Sequence, residues 1–138
     1  MYTSKIFVTV DVVLVRPNVE KELLLIKRLK DPYKDCWALP GGFVDENEDL
    51  EDAAKRELLE ETTITVDQLH QIGAFGKPFR DPRIHTVSVA FFGKVTKETR
   101  AIAADDAKEA KWFPLDELPE LAFDHKEIIN EALKKFNV

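Results

Sequence analysis

The chain has 138 residues, one cysteine and a formal net charge of -6, with 44% hydrophobic and 33% charged residues. That length suits one domain built on one core over residues 1–138, and the balance excludes disordered and fibrous classes. The acidic excess argues against broad attraction to nucleic acid or anionic membrane, because phosphate affinity is supplied by basic residues, so the expected partner is a small ligand.

Cys36 stands alone, which excludes an internal disulfide framework and a multi-cysteine zinc site and agrees with a reducing compartment. The longest apolar run, IFVTVDVVLV, is short for a membrane span and is broken by Asp11. With no leader pattern before it, the chain reads as cytoplasmic.

Residues 5–15 and 22–27 are rich in Val, Ile, Phe, Leu and Thr and predict two buried strands joined near Pro17-Asn18. A polar loop over 30–35 leads to a short extended piece at 37–39, which Pro40-Gly41-Gly42 stops. The Glu, Ala, Leu, Lys and Arg content of residues 49–62 predicts a helix. Strands at 69–75, 86–95 and 111–113 follow, and a helix over 126–136 carries Ile128, Ile129, Leu133 and Phe136 on its apolar side. Mixed strands and helices of this kind make a layered α/β or α+β domain.

The first helix carries the chemistry. At about 100° per residue, Leu50, Ala53, Ala54 and Leu58 form its apolar arc, and Glu57, Glu60 and Glu61 fall on the same inward side. Glu51, Asp52, Lys55 and Leu59 fall opposite. Partly desolvated carboxylates about 4 Å apart repel by roughly 4 kcal/mol at an effective dielectric of 20, so an inward cluster calls for a cation. Hard oxygen ligands select Mg²⁺ or Mn²⁺, which combine a few carboxylates with waters and substrate phosphates. Gly41-Gly42, without side chains, lets the backbone approach an ion or phosphate closely and can offer a carbonyl as a further ligand.

Gly42, five residues, Glu48, seven residues, Arg56-Glu57-Leu58, one residue, Glu60-Glu61, one residue, Thr63, Ile64 resembles the box of the Nudix (MutT-like) hydrolases. The resemblance departs from the family pattern at Thr63, where the family has glycine. LLLIKR and WALPG before the box and DDAKEAKWFPLDELP after it resemble the usual surroundings of Nudix domains. The resemblance implies an α/β/α sandwich with a mixed sheet, and metal-assisted attack of water on a nucleoside diphosphate linked to another group. It assigns Glu57, Glu60 and Glu61 as ligands of Mg²⁺ or Mn²⁺, with the Gly41 carbonyl completing the site. Glu48 then pairs with Arg56 to orient loop and helix. The proton acceptor often lies outside the box in this family, and Asp105, Asp106 and Glu109 are its candidates. A β-branched residue in the left-handed conformation costs roughly 1 to 2 kcal/mol, so Thr63 is expected to end the helix differently from the family glycine.

The loop KPFRDPR followed by HTVSVAFFG resembles the ADP-ribose pyrophosphatase type. Arginine's planar fork suits phosphate, which makes Arg80, Arg83 and Arg28 candidate substrate ligands. Phe43, with Phe75, Phe79 and Trp37, offers aromatic faces for adenine. The expected reaction is Mg²⁺-dependent cleavage of ADP-ribose to AMP and ribose 5-phosphate. The alternatives are pyrophosphohydrolysis of nucleoside triphosphates or dinucleoside polyphosphates, a noncatalytic ADP-ribose sensor, and an acidic interaction module. Members of the ADP-ribose type are often dimers, so the resemblance leaves a homodimer open without fixing the oligomeric state.

Overall fold

The computed structural model describes residues 3–138. Its centre is β1 (Ile6–Arg16), and the sheet order β3-β2-β1-β6-β5 places β2 (Glu22–Arg28) and β6 (His85–Lys94) on either side of it. β1 and β6 run parallel from Ile6 opposite His85 to Val15 opposite Lys94. The other pairings are antiparallel, with β3 (Trp37–Ala38) and β7 (Ala107–Pro114) on β2, and β5 (His70–Phe75) on β6. The sheet is therefore mixed.

Alternate residues of β1 feed two cores, as the two-residue period of a strand requires. Val10, Val12 and Leu14 pack with Ala53, Ala54 and Leu58 of α1 (Leu50–Thr62). Val13 and Val15 pack with Ile128, Ile129 and Ala132 of α2 (His125–Lys135). One helix on each face makes the α/β/α sandwich.

Two elements differ from the sequence expectation. The extended piece does stop, at Ala38, but Gly41-Gly42 then opens a separate strand, β4 (Gly41–Phe43), which pairs with β1 and places Gly41 opposite Asp11 and Phe43 opposite Thr9. Glycine is a weak strand former by itself, and here the partner strand supplies the structure. β7 begins at Ala107, so Glu109 lies inside a strand rather than in a loop before one.

α1 starts at Asp49, whose carboxylate accepts from the Glu51 N–H at 3.2 Å. Its end corrects the expectation for Thr63, which holds the left-handed conformation (φ 63°, ψ 9°) and donates its N–H to the Leu59 carbonyl at 2.9 Å. Tertiary contacts dictate this. The Glu61 and Thr62 carbonyls accept from Ala104 and Ile102 at 3.1 and 2.9 Å, and Ile64 is buried. Thr63→Gly removes the left-handed penalty of roughly 1 to 2 kcal/mol while loosening the unfolded chain, for a net gain of about 0.5–1 kcal/mol. Urea denaturation should show a higher midpoint with turnover within a few fold of wild type; an unchanged or lower midpoint would mean that the hydroxyl bond from Thr63 to the Thr62 carbonyl offsets the strain.

Candidate active site

The box residues meet around a single guanidinium. Arg56 holds Glu48 through two bonds (Nε to Oε2 2.7 Å, terminal nitrogen to Oε1 2.9 Å), Glu57 at 2.9 Å and the Phe43 carbonyl at 3.1 Å. These bonds tie the loop after β4 to α1. They hold the Glu48 carboxyl at about 2, well below the usual range, with the Arg56 bond as the leading cause.

The three helix glutamates separate by depth. Glu61 is 5% exposed and accepts from the Gly41 N–H at 2.8 Å. Burial pushes its carboxyl up to about 8, against the Gly41 bond and with help from the charges of Glu57, Asp11 and Asp106. Glu57 is half-buried, and burial raises it to about 7 despite Arg56. Glu60, expected inward, is exposed and pairs with Arg56 at 3.3 Å. Desolvation therefore acts on two carboxylates rather than three, since the buried side of α1 is formed by Ala53, Ala54, Leu58, Glu61 and Thr62 and Glu60 falls just outside it.

The Gly-Gly pair is needed at close quarters. A Cβ on Gly42 would lie 2.6 Å from the Glu57 carboxylate, and one on Gly41 would lie 2.1 Å from the Val10 carbonyl and 2.6 Å from Asp11 Oδ1. Val12 N–H donates to the Pro40 carbonyl and Val44 N–H to the Val8 carbonyl. Bonded and non-bonded pairs alternate along an antiparallel ladder, so the Asp11–Gly41 pair between them is a non-bonded one. The Gly41 N–H is thus available to Glu61, and its carbonyl is left outside the ladder.

Glu57, Glu61 and Gly41 line a cavity of about 360 Å³ together with Asp106, Arg28, Arg80, Arg83 and Phe43, a size typical of small-ligand sites. Arg28 is half-buried, donates Nε to the Pro32 carbonyl at 2.7 Å and lies 5.0 Å over the Phe123 ring. Burial and then the charge of Arg83 lower its proton affinity. Arg83 is held by Asp81 at 2.7 and 3.1 Å and lies 5.8 Å over the Phe43 ring.

Other candidates are placed differently. Arg80 lines the cavity but is committed to the protein: two nitrogens go to Asp124 at 2.7 and 3.0 Å and the third to Thr86 at 2.8 Å. Glu109 faces Lys27 across β7 and β2 at 3.5 Å and is absent from the cavity wall. Asp106 lies 3.4 Å from Lys30 at the exposed rim, and Asp105 sits in the adjoining turn at φ 54°. Phe79 is 90% exposed, while Trp37 and Phe75 pack against the α2 core.

Four further residues reach the cavity without having been assigned. Asp11 is 6% exposed, accepts from Ser88 Oγ and has His125 Nε2 3.3 Å from its Oδ1. Phe123 and His125 line the same wall. The Thr9 hydroxyl is buried and has no hydrogen-bond partner among the described residues. A charge inside an apolar strand was the available signal for Asp11; nothing local marked the others.

Among the described residues no three acidic, histidine or cysteine side chains converge tightly enough to hold a metal alone. Two raised, oxygen-only carboxylates beside a free carbonyl still fit a hard cation that keeps waters and substrate phosphates as its remaining ligands.

Comparison with known proteins agrees with this geometry. The NUDIX domain family matches residues 5–134. The chain is 43% identical over 127 residues to an ADP-ribose pyrophosphatase of Methanocaldococcus jannaschii, covering 92% of this chain and 73% of the relative. A crystal structure of a MutT/nudix family protein from Enterococcus faecalis superposes with a TM-score of 0.93 at 35% identity, over 99% of this chain and 64% of that one. The NUDIX domain of Shewanella oneidensis NrtR, complexed with ADP ribose, gives 0.88 at 31% identity, over 98% and 90% of the two chains. The chain belongs to the Nudix domain family.

Proposed function

We propose that this protein is a cytoplasmic, Mg²⁺- or Mn²⁺-dependent pyrophosphohydrolase, one Nudix domain over residues 1–138, that cleaves ADP-ribose to AMP and ribose 5-phosphate. The observation that carries the reading is the pair of desolvated carboxylates, Glu57 and Glu61, lying against Gly41-Gly42 at one side of a cavity that also holds Arg28 and Arg83. Similarity to the Methanocaldococcus jannaschii ADP-ribose pyrophosphatase and to the ADP-ribose-bound Shewanella domain supports the substrate.

Glu57, Glu61 and the Gly41 carbonyl would hold the metal, with Glu60 at the rim as the remaining box ligand. A bound divalent ion at this place supplies charge neutralisation at phosphate oxygens and a more acidic water. Arg56 fixes the Glu57 carboxylate, and Glu48 fixes Arg56. Arg28 and Arg83 offer fork-shaped donors to phosphate oxygens. The exposed ring of Phe43 is a face for the base. The orphaned Thr9 hydroxyl gains a partner when a ligand oxygen enters. Of the three candidates for proton acceptor, Asp105, Asp106 and Glu109, Asp106 is the one that lines the cavity, and it takes that role.

A sensor that binds ADP-ribose without cleaving it is the second reading, favoured by the NrtR likeness. Incubation with Mg²⁺ and ADP-ribose, nucleoside triphosphates, dinucleoside polyphosphates and nucleotide sugars decides between the two. AMP release should be fastest from ADP-ribose; binding without AMP release would establish the sensor. Glu61→Gln keeps shape and removes charge, and kcat should fall beyond the roughly 10–100-fold typical of lost outer-shell partners. A wild-type rate from that variant would remove Glu61 from the metal site.

Folding should report the same charges. The folded-state values of about 7 for Glu57 and about 8 for Glu61 lie above the ordinary carboxylate value, so the native state holds protons that the unfolded chain releases. That contribution to stability is complete below the unfolded value of 4.5 and is lost as pH rises through 7 and 8. In chelator, Tm at pH 8 should lie below Tm at pH 5.5 by about 5 °C, and saturating Mg²⁺ should restore it at pH 8. A Tm that is flat between those pH values, with no response to Mg²⁺, would contradict the buried charge.

A further inference from the structure

The buried wall opposite the helix glutamates contains a histidine whose two ring nitrogens act on one short piece of backbone. His125, the first residue of α2, is 4% exposed. Its Nδ1 accepts from the Leu39 N–H at 3.0 Å, so that nitrogen carries no proton and the ring proton sits on Nε2. Nε2 in turn faces Asp11 Oδ1 at 3.3 Å. The other Asp11 oxygen accepts from Ser88 on β6, and the Arg80 guanidinium lies 4.0 Å away.

Both contacts end beside Gly41. Leu39 precedes it by two residues in the segment joining β3 to β4. Asp11 is its cross-strand partner, with Oδ1 so close that a Cβ on Gly41 would meet it at 2.6 Å. The ring thus grips the glycine from its chain side and from its neighbour strand. Asp124, next to His125, holds Arg80 through two bonds, and Arg80 holds Thr86 of β6, so the start of α2 is itself anchored to the sheet.

We infer that His125, through Asp11 and the Leu39 amide, is a positioning residue that sets the direction of the Gly41 carbonyl toward the metal. The inference rests on the reading above that this carbonyl is a ligand. His125 touches neither substrate nor metal in this role. Outer-shell partners of this kind typically change metal affinity or activity by about 10–100-fold.

The test measures binding of Mn²⁺ alone, from the signal of the free ion in electron paramagnetic resonance, alongside ADP-ribose kinetics. His125→Leu, which loses both contacts, should weaken Mn²⁺ binding and lower kcat by ~10-fold or more, with KM for ADP-ribose within about 3-fold. His125→Asn, which can still accept from Leu39, should recover part of both. Ile129→Ala, one turn further along the buried side of α2, destabilises the same helix and should leave Mn²⁺ affinity unchanged. A folded His125→Leu that binds Mn²⁺ as tightly as Ile129→Ala overturns the assignment. Should His125→Leu fail to fold, nitrogen resonances of the imidazole in metal-free wild type decide: a proton on Nδ1 overturns the tether, a proton on Nε2 supports it. Wild type that neither binds Mn²⁺ nor releases AMP refutes the functional reading, and the inference falls with it.

Discussion

The site depends on one guanidinium placed among carboxylates. Arg56 contacts Glu48, Glu57 and Glu60 and the carbonyl of Phe43, so a loop, a helix and a strand are fixed to each other by one side chain. A planar fork can do this because its donors lie in a fixed geometry, where a lysine would make a point contact. Without that charge beside it, Glu57 would meet Glu61 across a poorly solvated gap with nothing to hold its orientation. The arrangement leaves Glu57 ionisable yet restrained, a condition suited to a ligand that must meet a cation on arrival.

The fold concentrates this chemistry at the edge of β4 by splitting β1 between partners. β2 pairs with β1 only near its end, at Val15 and Arg16, while β4 takes the stretch around Asp11. The gap between β2 and β4 is where the cavity opens. Residues from both faces reach it: Glu57 and Glu61 come from α1, and His125 and Phe123 come from the α2 side. The cavity is consequently lined by carboxylates and arginines together, with the Phe43 ring among them.

Much of this was legible in the chain because it is local. Helix periodicity placed Ala53, Ala54 and Leu58 inside, and they are fully buried. Fixed spacing pointed to Glu48, Arg56, Glu57 and Glu61. What failed to show depends on distant partners. Arg80 looks like a ligand in its loop, and only the arrival of Asp124 from forty-four positions away engages it. Glu109 reads as a loop acid until β7 extends and sets it against Lys27. Thr63 in the left-handed region is dictated by residues 102 and 104 holding the preceding carbonyls. His125 carries no local mark at all, since its meaning lies in Leu39 and Asp11.

Gly42 gives the site an unusual kind of fragility. Its backbone is ordinary strand, and many side chains would suit the conformation, yet the volume a methyl group would need is filled by the Glu57 carboxylate. The constraint is thus imposed by the helix on the strand. Any drift of sequence at this position would first displace a charge and leave the fold intact, so a protein of the same shape and similar stability could arise that no longer gathers its carboxylates.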